Sequence, residues 1–429
     1  MSGKRPVAPY RRVGGQPVDP YLYPLARAMT DRSTRKPAAS LESAVAPVEP
    51  GRPSDPIAIP SAARRGLPPP PPVEVTEELL KALPKADLHC HLDGSLRLST
   101  LLEIAQREKI RLPAEDVEGL AQAIHMGQVC QSLEEYLTAF DLTLSVLQSE
   151  EALHRVAYEL ALDAAAENIR YLEVRYSPVL HQQQGLGLTA IIEAVLEGLR
   201  AGKRETGIKS GVIICGIRNM NPQTSLRLAE LSVAFKNKGV KGFDLAGAEY
   251  NFPAKDHKAA FQLILDNNVN CTCHAGEAYG PESIAQALHF NGAHRIGHGT
   301  RLREDGDLLN YVNDHRIPIE ACLSSNVQTG AVADIASHPL KFYFDYGLRV
   351  TVNTDNRLVT NTTLTKELWL AHRELGFSLE DLCTIVVAGF KSSFLPFREK
   401  ADLLVEVNRE ISEVVGRFHQ VSSLNARRA

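Results

Sequence analysis

Two histidines one residue apart, in Ala86-Asp87-Leu88-His89-Cys90-His91-Leu92-Asp93-Gly94-Ser95, are the first side chains of this chain whose types and spacing suit chemistry. The run alternates, and along an extended strand every second side chain points to the same face. His89 and His91 therefore project together, while Leu88 and Cys90 face the other way. Gly94 ends the strand, and Ser95 is placed to cap a helix running through Leu98, Leu101 and Ile104. Two parallel imidazoles at a strand's end are half of a metal site or a pair of satisfied core histidines, and the H-x-H spacing leaves both open. Other apolar runs end in Arg175, Arg218, Asp244, His274, His298, Ser324 and Asp355, with Glu277 three residues beyond His274. Imidazole and carboxylate are the ligands that a catalytic zinc takes while leaving room for water.

The elements that must position these residues follow a regular order. Strand patterns cover Ala86–His91, Tyr171–Tyr176, Gly211–Ile217, Gly242–Leu245, Asn270–His274, Arg295–His298, Pro318–Leu323 and Arg349–Thr354. Helical patterns lie between them at Leu133–Leu147, Leu153–Asn168, Ile191–Glu205, Ser225–Lys238, Pro281–Asn291 and Asp305–His315. Eight strands in strand–helix order predict an α/β fold, a parallel (β/α)8 TIM barrel. An open doubly wound sheet is the rival, but no G-x-G-x-x-G follows the first strand. In such a barrel chemistry gathers at the C-terminal ends of the strands, where the candidate ligands fall. Extra helices are expected in the excursion from Leu96 to Asn168, over the barrel mouth, and after Asp355 at Leu364–Leu375, Ser378–Ala388 and Arg398–Phe418.

Residues 1–75 read differently. They are rich in Pro, Arg, Ala and Ser, lack apolar periodicity and run into Pro68 to Pro72, so a disordered tail or extended spacer is expected before a catalytic domain at 76–429. A partner-recruiting arm, or Tyr10, Tyr21 and Tyr23 packing on the domain, are the alternatives for that tail.

Of 429 residues, 44% are hydrophobic and 23% charged, the balance of an ordinary soluble globular chain. The net charge of -4 gives no reason to expect nucleic acid or an acidic membrane as the main partner. No apolar run is long enough to span a bilayer, and Met1-Ser-Gly-Lys-Arg-Pro lacks the apolar segment of a secretory signal. Most of the seven scattered cysteines, among them the Cys271-Thr272-Cys273 pair, read as buried free thiols, and a reducing cytoplasm is expected. Oligomeric state is not readable.

Three strand ends, Cys273-His274-Ala275-Gly276-Glu277, Ile296-Gly297-His298-Gly299-Thr300 and Val350-Thr351-Val352-Asn353-Thr354-Asp355-Asn356-Arg357, carry a resemblance. With His89-Cys90-His91, Leu172-Glu-Val-Arg-Tyr-Ser-Pro178, Asp244-Leu-Ala-Gly247 and Ser324-Ser-Asn-Val-Gln-Thr-Gly330, they make the chain similar to the adenosine deaminase family, zinc enzymes of the amidohydrolase barrel type. The likeness runs from about Lys85 to the helices after Asp355. It implies one Zn2+ per chain held by His89, His91, His274 and Asp355, a protonated Glu277 that donates to N1 of the purine, and His298 as a non-ligand beside the attacking water, orienting it and accepting or relaying its proton. It also implies a small-molecule nucleoside pocket, with His91 on the substrate side, Gly247 offering its N–H to purine N3 and Asp93 accepting from the ribose 5′-hydroxyl. A phosphate there would meet the Asp93 charge, so a nucleoside is expected before a nucleotide.

Many relatives have a second aspartate after Asp355, where this chain has Asn356. An amide carries N–H donors at any pH, so contact with purine N7 is expected to survive. A second metal would need a lysine at the end of the fourth strand; Asp244 stands there and Lys241 at the start. The implied reaction turns adenosine and 2′-deoxyadenosine into inosine and 2′-deoxyinosine with release of ammonia, in purine salvage. The alternatives are another 6-aminopurine, adenine or aminodeoxyfutalosine, and a non-catalytic relative.

Overall fold

Short β-branched and apolar runs that cannot hide both faces alone must pair, and here they pair in sequence order. The computed structural model describes residues 73–426 apart from 125 and 131. Among the described residues the strands are β1 (Lys85–His91), β2 (Ile169–Tyr176), β3 (Lys209–Ile217), β4 (Val240–Ala246), β5 (Asn270–Ala275), β6 (Arg295–His298), β7 (Ile319–Ala321) and β8 (Val350–Val352). They form one parallel sheet in the order β1 to β8. The seam between β8 and β1 is closed beyond β8 itself: His91 N donates to Asp355 O and Asp355 N to His89 O, each at 2.7 Å. The barrel closure thus welds Asp355 to the backbone between the two histidines of β1.

Helices cover the outside, as a fully buried parallel sheet requires. The Glu150–Ala166 helix packs on the Leu188–Thr206 helix, and the C-terminal Leu364–Leu375, Leu379–Ser392 and Phe397–Ala426 helices complete the wall. Leu88 and Cys90 are fully buried in that outer layer, as the alternation of β1 required. All seven cysteines are free thiols; Cys271 and Cys273 are buried in β5, with no metal role among the described residues.

Three expectations are corrected in detail. The predicted Leu133–Leu147 helix is two, Leu133–Leu137 and Ala139–Val146, broken at Thr138. The helix after β1 starts at Leu98 behind Arg97, with no side-chain cap. Ser95 is drawn instead to the far end of the chain, where its Oγ accepts from Arg357 N at 3.1 Å. The stretch read as the end of the seventh strand turns into a short helix, Leu323–Gln328, so Ser324 is helical and lies off the strand. The expected tail falls outside the described residues up to 72. Among the described residues no helix is long and apolar enough to cross a membrane.

Candidate active site and metal centre

Strand alternation and barrel closure bring four side chains from three places in the sequence to one point. The Nε2 atoms of His89 and His91 lie 3.1 and 3.2 Å from His274 Nε2. Asp355 Oδ1 stands 3.4 Å from both His89 Nε2 and His91 Nε2. Tetrahedral zinc bonds of about 2.0–2.1 Å place neighbouring ligand atoms roughly 3.3 Å apart, the spacing found here.

The outer nitrogens fix which atoms face inward. His89 Nδ1 donates to Glu320 Oε2 at 2.9 Å, and His274 Nδ1 to Asp244 Oδ2 at 3.0 Å. In the neutral rings both Nε2 atoms then carry lone pairs and face each other as acceptors. A shared cation makes that contact attractive, so the donor set fits a divalent metal. Asp355 Oδ2 accepts from Ser325 Oγ at 2.6 Å, leaving Oδ1 for the centre. His298 Nε2 is not part of this group, though His298 with Cys322 and Asp355 forms a second cluster of potential ligands.

The supporting carboxylates are themselves held in the barrel interior. Arg175 bridges Asp244 Oδ2 at 3.0 Å and Glu320 Oε2 at 2.9 Å, and its neighbour Arg295 spans Glu320 Oε1 and Glu173 Oε2, each at 2.5 Å. All five side chains are buried. The two guanidiniums hold Glu320 well below the usual carboxylate range, against its burial; His274 and Arg175 do the same for Asp244. Sequence reading named Arg175 and Asp244 but missed Glu320, Arg295 and Glu173. The available signal was a charged residue inside a strand run buried on both faces, as for Glu320 and Glu173, or opening one, as for Arg295.

His298 and Glu277 stand beside the cluster. Burial, with Asp355 and Glu249 nearby, pushes the Glu277 carboxyl up to about 8 against the opposing Thr329 hydrogen bond. Its Oε1 accepts from Thr329 Oγ1 at 3.0 Å and Asn326 Nδ2 at 3.4 Å, which leaves the proton on Oε2, 3.5 Å from His298 Nε2. A chain of hydrogen bonds assigns the His298 tautomer. Leu340 N donates to His338 Nδ1, His338 Nε2 to Asn326 Oδ1, and Asn326 Nδ2 to His298 Nδ1 at 3.0 Å. The remaining hydrogen of neutral His298 is therefore on Nε2, and burial beside His89 holds its pKa well below the ordinary value. His298 and Asp355 both have left-handed backbone, with φ of 65° and 60°, a cost that non-glycine residues bear mainly at functional sites.

These groups open on a cavity of about 70 Å³ lined by His91, Asp93, Gly247, Glu277, His298 and Asn356. Its other wall is apolar and comes from the insert after β1, through Leu133, Tyr136 and Phe140. Neither lysine nor arginine is among the lining residues. Asp93 Oδ1 and Asn356 Oδ1 are buried with no hydrogen-bond partner. Burial pushes the Asp93 carboxyl up to about 7. Gly247 has φ of 92° and its missing Cβ would lie 3.1 Å from Asn219 Oδ1, so only glycine is at ease there. Gly94 is equally constrained, because a Cβ would sit 2.0 Å from Asn356 Oδ1.

The model of the family described as adenosine deaminase matches residues 84–410. The chain belongs to the adenosine deaminase family. A probable adenosine deaminase of Dictyostelium discoideum is 44% identical over 322 residues, 75% of this chain and 42% of that relative's length. An adenosine deaminase of Mycobacterium sp. (strain JLS) is 43% identical over 348 residues, 78% of this chain and 96% of the relative. Among solved structures, an adenine deaminase from Arthrobacter aurescens superposes with a TM-score of 0.72 at 27% identity, covering 77% of this chain and 99% of that one. Members of the adenosine deaminase family are hydrolases of C–N bonds, and this chain is one of those enzymes.

Proposed function

We propose that this enzyme deaminates adenosine and 2′-deoxyadenosine with one zinc ion held by His89, His91, His274 and Asp355. The observation that carries the reading is the meeting of that ligand set with the buried Glu277 carboxyl group, which burial pushes up to about 8. The ion, when bound, supplies the Lewis acidity that makes water a nucleophile near pH 7. Glu277 Oε2 gives its proton to purine N1, which draws electrons from C6. His298, with hydrogen on Nε2, orients the attacking water by donating to its oxygen; as the C6–N bond breaks, one proton of the water leaves with the amine as ammonia and the other restores Glu277. The Gly247 N–H reaches N3, and the Asn356 amide serves N7.

The choice of nucleoside over free base rests on Asp93. A buried acceptor without a partner costs about 1–3 kcal/mol, and a ribose hydroxyl removes that cost where adenine has no group to do so. The absence of lysine and arginine from the lining, and the Asp93 charge once pH exceeds about 7, disfavour a nucleotide phosphate. A rate comparison over adenosine, 2′-deoxyadenosine, adenine, AMP and aminodeoxyfutalosine, with product analysis, tests this. Adenosine and 2′-deoxyadenosine should lead; adenine in first place would overturn the nucleoside reading while leaving the reaction intact.

A further inference from the structure

Glu249 lies two residues past Gly247, on the turn after β4, and is buried with no cation in salt-bridge contact among the described residues. Its carboxylate instead collects backbone donors from the turn after β5. Oε1 accepts from Gly276 N at 2.7 Å. Oε2 accepts from Glu277 N at 2.9 Å, Ala278 N at 2.6 Å and Tyr279 N at 3.1 Å. Four consecutive peptide amides thus converge on one side chain, and the second of them belongs to Glu277. The rings of Tyr250, next to Glu249, and of Tyr279, the last of the four donors, lie 5.9 Å apart.

We propose that Glu249 is the positioning residue that locks the Glu277 turn to the Gly247 turn, so that N1 and N3 of one purine are met together. The proposal rests on the deaminase reading of Glu277 and Gly247. A carboxylate suits the task because it is acceptor-only, with about four lone-pair sites for N–H donors. A carboxamide would offer one oxygen and turn N–H groups against N–H groups. A second consequence is electrostatic. After burial and the Asp355 charge, the Glu249 charge also disfavours ionisation of Glu277, so the residue that places this carboxyl adds to the elevation of its pKa.

Glu249→Gln tests both parts on the full chain, with metal content and thermal melting checked first. Turnover should fall about 10–100-fold with KM within roughly threefold, the signature of a misplaced reacting group. The alkaline limb of the kcat profile should move down by about half a pH unit or more, because the neighbouring negative charge is gone. Amide hydrogen exchange in the 275–279 segment should quicken at least about tenfold. Glu249→Asp, charged but shorter, should lower kcat while keeping the limb near its original pH, and it serves also if the glutamine variant does not fold. Unchanged kcat and exchange in Glu249→Gln would overturn the proposal, as would a kcat loss with an unmoved limb. If the parent protein deaminates no aminopurine, the deaminase reading fails, while the exchange measurement still judges the clamp.

Discussion

At the scale of single residues, the site depends on the protonation states that its surroundings impose. Glu277 must carry a proton to serve purine N1, and a raised pKa keeps that proton at pH values below about 8. Activity should therefore be lost as pH rises through the Glu277 pKa. A bound cation works against that elevation, so the limb should fall at or below about pH 8 in a kcat profile for adenosine. Glu277→Gln should cut kcat at least about 10³-fold with metal content unchanged; turnover near the parent rate would reject the role. The meeting of His89, His91, His274 and Asp355 was legible in the sequence because strand alternation and strand-end position are local properties, whereas Glu277 was marked only by the family resemblance of His274-Ala-Gly-Glu277. The Nε2 hydrogen of His298 was not legible. It is set by Asn326 and His338, which sequence patterning leaves unmarked and tertiary packing brings to the ring.

At the scale of elements, the strands deliver the ligands and the charged barrel interior aims them. Glu320 in β7 meets His89, Arg175 and Arg295 together, from three other strands. Glu320→Gln should weaken metal affinity about 10–100-fold in a competition titration, because the outer partner orients the ligand ring. Arg295→Met removes the guanidinium paired with buried Glu173 and one of the two on buried Glu320, and should cost about 3–5 kcal/mol in chemical denaturation. A loss under about 1 kcal/mol would mean that the network contributes little beyond packing. The eight strands were readable from their apolar runs, yet β7 and β8 are only three residues each, shorter than predicted. Beyond β8 the chain keeps pairing with β1 at Asp355 through an isolated bridge. Hydrophobic pattern does not report such pairing, since Asn353, Thr354 and Asp355 are polar and buried for hydrogen bonding.

At the scale of the whole molecule, every residue given a part in the proposed reaction lies within residues 73–426. Removal of residues 1–72 should leave kcat/KM for adenosine within about twofold, and a large loss would assign those residues a part in the site. Metal and fold should also be coupled: a cation held by β1, β5 and the turn after β8 crosses the barrel seam, so chelation should lower the melting temperature. The most direct test is to strip the protein of metal and titrate zinc back while following conversion of adenosine to inosine. Turnover should vanish on stripping and return in full at one equivalent per chain. Activity that survives stripping, or that needs a second equivalent, would contradict the account.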